Sequence, residues 1–187
     1  MDGLLAKLAR PAPATTSFVE ARFSKLLDQP LVAKGQLEYL EDGTLVRIVD
    51  TPFRERSEIR ADTVSVQREG KPPRRFSLKR APELRSMLGG FAAVLGGSRS
   101  SHLEDFTLAL QGAAETWQLS LTPGSSQVSR YVRDIVIHGA GSDPRCIIVT
   151  QPDDQSSVML LGQAAETTLP SPLDRGWLQR FCDGTAS

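Results

Sequence analysis

The sequence predicts a mainly β protein, α+β in its details, built around an antiparallel meander. Three observations carry this. Residues 106–122 alternate apolar and polar side chains with a period of two, an Asp42-Gly43 turn joins two short apolar runs, and turn clusters recur at even spacing through the second half of the chain.

The length, 187 residues, is close to the ~150 that serve as a prior for one domain, so a single domain over residues 1–187 is expected. Hydrophobic residues make up 40% of the chain and charged residues 24%. The 22 basic side chains balance the 22 acidic ones, which argues against disorder and against a nucleic-acid partner. No apolar run approaches the ~20 residues that span a bilayer, and "MDGLLAKLARPAPA" lacks the apolar core of a secretory signal. Met1 is compatible with a start placed on a trimmed, mature sequence.

Residues 1–13 are read as a short helix and linker, with Leu4, Leu5 and Leu8 on one side and Pro11 and Pro13 ending it. Residues 15–80 hold the first strands. "TSFVEARFSKLL" fits a helix loosely and a strand by alternation, and periodicity alone leaves both open. "GQLEYLEDGTLVRIVDTP" reads as a hairpin. A two-residue Asp42-Gly43 loop sets Glu41 opposite Thr44, Tyr39 opposite Val46, Leu37 opposite Ile48 and Glu38 opposite Arg47. Tyr39, Val46, Leu37 and Ile48 then form an apolar face, while Glu38 and Arg47 pair on a wet one. "FRERSEIRADTVSVQREG" gives a further pair of edge-like strands. Lys71, Arg74, Arg75, Lys79 and Arg80 are read as a solvated loop marked by Pro72 and Pro73.

Residues 82–97 form the clearest helical pattern, with Leu84, Met87, Leu88, Phe91 and Leu95 on one face. Gly89 and Gly90 interrupt it at ~1 kcal/mol each relative to Ala, so a bent or weakened helix is expected. Its glycines make no phosphate loop, because no Lys-Ser or Lys-Thr follows. Residues 103–162 supply "FTLALQG", "WQLSLTP", "YVRDIVIHG", "CIIVTQ" and "SVMLLG" as the meander. Residues 170–187 form a tail whose short docking helix carries Trp177 and Phe181.

Chemistry-bearing residues are sparse. Cys146 and Cys182 are read as two free, buried thiols in preference to a bridge. His102 and His138 lack clustered partners, which argues against a metal site, and no cofactor is expected. His138, Asp134 and Ser101 or Ser129 are the sole candidate acid, base and nucleophile. With no nucleophile elbow around either serine, the chain is not expected to be an enzyme.

The order of elements resembles the outer-membrane lipoprotein carrier (LolA-like) family. Phe18, "FSKLLDQPLVAKGQLEYL" from Phe23, then Leu45, Arg47 and Pro52, followed by "FTLALQG", "WQLSLTP" and "IVIHG", stand in the family's order over roughly residues 4–162. The resemblance implies a strongly curved antiparallel sheet forming an unclosed half-barrel, with a short N-terminal helix and a helical lid or plug on the concave face. It also implies that "SFVEARFS" is a strand. The implied activity is that of a periplasmic carrier with its signal peptide removed. Such a protein takes acylated lipid or lipoprotein cargo from inner-membrane donor proteins to outer-membrane acceptor proteins, as a monomer touching membranes only transiently. A lipid-sensing regulator of the RseB type is the alternative.

The cavity implied for the cargo is lined by Leu37, Tyr39, Val46, Ile48, Leu84, Met87, Leu88, Phe91, Phe106, Leu108, Trp117 and Leu119. An acyl chain of ~14 methylenes, at ~0.8 kcal/mol each, needs such shelter from water. The chain departs from the familiar carriers at the hairpin turn, where Glu41 and Asp42 stand in place of the Arg-Pro whose Arg latches the lid. Arg47 likewise stands where those carriers have an aromatic residue.

Overall fold

The computed structural model describes residues 12–60, 63–78, 106–113 and 115–185. Among the described residues, eleven strands form one antiparallel sheet: β1 (Ala14–Phe23), β2 (Leu31–Tyr39), β3 (Leu45–Thr51), β4 (Glu55–Arg60), β5 (Thr63–Arg68), β6 (Arg74–Ser77), β7 (Phe106–Gly112), β8 (Trp117–Pro123), β9 (Asp134–Ala140), β10 (Asp143–Thr150) and β11 (Ser156–Leu161). Their order is β6-β5-β4-β3-β2-β1-β11-β10-β9-β8-β7, so β6 and β7 are edges and the sheet is an unclosed half-barrel. Two short helices are described, α1 (Ser126–Ser129) and α2 (Arg175–Cys182). The expected N-terminal helix and the helix over 82–97, with Leu84, Met87, Leu88 and Phe91, lie outside the described residues.

Alternation along the strands assigns two faces. The inner face gathers Phe18, Leu37, Leu45, Val49, Ile59, Val64, Trp117, Leu119, Leu121, Ile135, Ile137, Ile147, Val149, Met159 and Leu161 into one buried cluster. The outer face of β1, β10 and β11 is apolar as well, and residues 162–182 fold back over it. Ala164, Leu178 and Cys182 there pack with Ala21, Cys146, Ile148, Val158 and Leu160. Strands covered on both sides read as unbroken apolar runs, as "CIIV" and "VMLL" do.

Helix α2 is capped by Asp174, whose carboxylate accepts from the Trp177 backbone N–H at 2.8 Å. Trp177 stacks on Phe181 with ring centroids 5.3 Å apart. Contrary to the free-thiol expectation, Cys146 and Cys182 form a disulfide, with Cα atoms 5.7 Å apart. It ties α2 to β10. The two cysteines lie 36 residues apart in sequence, and only the fold-back over the outer face brings them together.

The β2–β3 hairpin also differs from expectation. Tyr39 pairs with Leu45, Glu38 with Val46, Leu37 with Arg47 and Gln36 with Ile48. The turn takes residues 40–44 rather than Asp42-Gly43 alone. Leu40 N–H donates to Thr44 O at 2.9 Å, and Gly43, at φ +78°, donates its N–H to Leu40 O at 2.9 Å. One residue of added loop moves the register by one and turns every β3 side chain to the other face. Glu38 accordingly lies 3.9 Å from Arg56, and Arg47 is turned inward.

The Thr51–Pro52 bond that ends this hairpin is cis and opens the turn into β4. The proposed basic loop is in part the edge strand β6, which holds Arg74 and Arg75. Strand β9 begins at Asp134, later than "YVRDIVIHG" suggests, because Tyr131 and Val132 still donate their N–H groups back to Val128 O of α1 as a turn.

Candidate functional site

The inner face is the natural site, being the larger apolar surface of an open sheet. Leu37, Trp117 and Leu119 are buried within it, and Tyr39, Phe106 and Leu108 are half-buried against it. Trp117 is held in place from two sides. Its indole N–H donates to Gly141 O at 2.9 Å, and its ring lies where a Cβ on Gly139 would stand. Val46 and Ile48, expected beside Leu37, face the other way because of the shifted hairpin register.

What replaces them inward is Arg47, and with it a row of charges that crosses the sheet. On β1, Glu20 accepts from Arg22 Nε at 3.0 Å and from Arg47 Nη2 at 2.6 Å. Arg47 Nη1 is 4.0 Å from Glu55 on β4, and Glu55 in turn accepts from Arg68 Nη2 of β5 at 2.7 Å. Glu20 is 1% exposed and the Arg47 side chain 10% exposed. The Arg47 guanidinium also lies 4.9 Å from the centre of the Phe18 ring, and its Nε is buried with no hydrogen-bond partner.

Strand β2, which runs between β1 and β3, presents Ala33 and Gly35 along this lane, and such small residues leave room for the Arg47 side chain to cross. A side chain on Gly35 would meet the Ile48 carbonyl, at the point where the β2–β3 register shifts. The signal that was available in sequence is an Arg set among four apolar residues in "LVRIV" and a Glu inside "FVEARF". Local patterning assigned Arg47 to a solvated face and gave Glu20 no face, since its segment fitted both helix and strand.

The row sits toward one end of the sheet. The same end carries the β1–β2, β3–β4 and β8–β9 connections. All the exposed large apolar side chains among the described residues lie there: Leu26 at 90%, with Leu27, Leu31, Phe53 and Tyr131. Arg68 joins the two features, since its guanidinium stands 4.2 Å over the Phe53 ring.

At the opposite end, a cleft of about 990 Å³ opens beside Thr16, Leu37, Leu161, Gly162 and Phe181. Among the described residues, Leu37 is the one sequence-predicted lining residue that borders it. The Glu41-Asp42 turn lies at that end too, held by Asp42, which accepts from Thr44 N–H at 3.0 Å and from the Arg60 guanidinium. These donors hold the Asp42 carboxyl below the usual carboxylate range, the Thr44 bonds contributing most.

The residues considered for catalysis are separately engaged. Asp134 accepts from Thr150 Oγ1 at 2.8 Å, Ser129 Oγ donates to Ser126 O at 3.4 Å, and His138 Nδ1 lies 3.5 Å from Asp183. Asp134 and His138 are four residues apart on one strand, roughly 13 Å, so they cannot share a proton directly. Ser101 and His102 lie outside the described residues. The described residues contain no group of three or more His, Cys, Asp or Glu placed to hold a metal ion.

An open antiparallel half-barrel with an apolar inner face defines the class of lipoprotein-carrier-like folds. Within it the chain belongs to the outer membrane lipoprotein carrier protein LolA-like family, whose model matches residues 1–185. Among solved structures it is similar to a LolA superfamily protein from Nitrosomonas europaea, with 10% identity, TM-score 0.49, 90% of this chain and 94% of that one covered. It is also similar to an outer membrane lipoprotein-sorting protein domain from Vibrio parahaemolyticus, with 11% identity, TM-score 0.42 and coverage of 96% and 94%. LprF from Mycobacterium bovis matches with 13% identity, TM-score 0.36 and coverage of 92% and 94%. No curated protein matches the chain significantly.

Proposed function

We propose that this protein is a periplasmic carrier that shields the acyl chains of a lipid or lipoprotein between an inner-membrane donor and an outer-membrane acceptor. The observation that carries the reading is the continuous apolar inner face of an unclosed sheet, from Phe18 and Leu37 across to Trp117 and Leu119. Among the described residues β6 and β7 do not pair, so the sheet is not closed into a barrel there. Burial of each methylene contributes ~0.8 kcal/mol, so even part of an acyl chain is held firmly enough for transport and loosely enough for release.

The exposed Leu26, Leu27, Leu31, Phe53 and Tyr131 at one end support transient membrane contact, since Leu and aromatic side chains partition into the bilayer interface. Among the described residues no helix is long and apolar enough to cross a membrane. Family membership supports the lipoprotein-carrier reading over catalysis.

Native mass spectrometry of protein secreted to the periplasm of a Gram-negative host tests this. Co-purifying acylated species, lost from a Leu119→Glu variant that stays folded, are expected. A protein free of lipid that also fails to take up a fluorescent acyl probe would sink the carrier reading.

A further inference from the structure

We propose that the cleft at the end of β11 receives an extended segment of a partner protein, which lies in the line of β11 and pairs with Ala14–Ser17 of β1. The cleft arises because one strand of the sheet stops short of its neighbours. The last residue pairs of β11 are Leu161 with Phe18 on β1 and Leu160 with Cys146 on β10. Beyond them β1 runs on through Ala14–Ser17 and β10 through Asp143–Arg145. Gly162, at φ +54°, turns the chain out of the sheet into a short 3-10 helix, Gly162–Glu166, whose Ala164 is buried on the outer face.

Neighbouring strands lie about 4.8 Å apart, so β1 and β10 stand roughly 10 Å apart where β11 is missing, the room that one strand needs. The cleft of about 990 Å³ occupies this place. Every residue of Ala14–Ser17 and of Asp143–Arg145 lines it, together with Leu161 and Gly162 where the slot begins. Ser17 Oγ donates to Gly162 O at 3.4 Å and fixes that closed end.

The two walls differ. Ala14–Ser17 pair on their other side with Gln36–Tyr39 of β2, and the ladder with β11 ends at Phe18. Successive residues of a strand point their N–H and C=O groups to opposite sides, so two of these four turn both groups from β2 towards the cleft. "ATTS" has neither the proline nor the charge with which proteins blunt a strand edge. The β10 wall is blunted, because Pro144 has no N–H and the β9–β10 register shifts beside it. Side chains of both signs, Arg145 and Glu166, line the cleft, so a partner is recognised by its main chain and not by its net charge. The slot rests on strand register and is independent of the carrier reading.

The test is amide hydrogen exchange, followed by NMR on the full disulfide-bonded chain, with an acetylated and amidated Thr-Val-Thr-Val-Thr peptide as the probe. Two alternate amides within Ala14–Ser17 are expected to exchange about tenfold more slowly at saturating peptide, the size of one backbone hydrogen bond. The same peptide N-methylated throughout, which cannot join a ladder, should leave them unchanged. Gln163→Trp, at an exposed position on the cleft wall, should abolish the protection in a chain that melts as the unmodified one does. Unchanged exchange at Ala14–Ser17, or equal protection by the N-methylated peptide, would overturn the slot. Protection confined to β6 or β7 would overturn its location. Slow exchange of both amides in the protein alone would assign the slot to the chain itself, and the same protection given by laurate in place of peptide would assign it to lipid, each overturning a partner segment.

Discussion

Arg47 on β3 reaches across β2 to place its Nη2 2.6 Å from Glu20 Oε2 on β1, joining two buried charges 27 residues apart in sequence. Removing one member of such a pair leaves the other charged and dry, which costs far more than the pair contributes. Glu20→Ala or Arg47→Ala alone is expected to lower unfolding free energy by about 3–5 kcal/mol, whereas Glu20→Gln with Arg47→Met stays within about 1 kcal/mol of the unmodified protein. Urea unfolding of the three variants checks this. Additive losses in the double variant would contradict a coupled pair.

The Cys146–Cys182 bridge makes a separate prediction, because it closes a loop of 36 residues and fixes α2 on the outer face. Replacing both cysteines by Ala is expected to cost about 2–4 kcal/mol, through the freer unfolded chain. Thermal melting with and without a reducing agent should show the same drop in the unmodified protein and none in the variant. If the reducing agent lowers both equally, the bridge is not what holds the helix.

The contrast between these two features and the strands marks where local patterning carries information. Alternation along β7 and β8 and the punctuated runs of β9 to β11 are consequences of the pleat, so they are visible within seven or eight residues. The partner of Arg47 and the partner of Cys146 are set by which strands the sheet brings together, and no local period encodes that. The hairpin register failed for a related reason. Asp42-Gly43 is a strong turn signal, yet Asp42 turns its carboxylate onto Thr44 N–H and Arg60, and the loop grows from two residues to three, 41–43, closed by Leu40 and Thr44. Since both faces of "LVRIV" are rich in apolar residues, hydrophobic pattern could not correct the slip. Of the candidate site, the inward apolar residues of β2, β7 and β8 were legible and the charged row was not.

His138 gives the chain a pH-dependent term. It is buried on the outer face opposite Cys146, and desolvation lowers its pKa below the ordinary 6.5, with attraction to Asp183 partly offsetting this. A folded pKa below the unfolded one means that protons bind the unfolded chain more readily. The stability contribution is therefore intact above about pH 6.5 and is lost as pH falls from there through the folded pKa. Asp183→Asn removes the offset, so the His138 pKa should fall further and the loss should deepen. An NMR titration of the His138 ring, assigned with His138→Gln, reads both. A midpoint above 6.5 would mean that attraction to Asp183 outweighs burial.

Leu26 and Leu27 test the membrane-facing role of the sheet end, because substitution there does not disturb a packed core. Leu26 is 90% exposed and Leu27 39%, so Leu26→Asp/Leu27→Asp is expected to change the unfolding free energy by less than about 0.5 kcal/mol. Both substitutions oppose insertion of the β1–β2 loop into a bilayer interface, where an apolar side chain is favoured and a carboxylate is not. Transfer of a fluorescent acyl lipid from donor to acceptor vesicles should slow several-fold, while binding of the same probe in solution is unchanged. Slowed transfer with weakened solution binding would place the loop in the cargo site itself, and unaltered transfer would remove this end of the sheet from the membrane step.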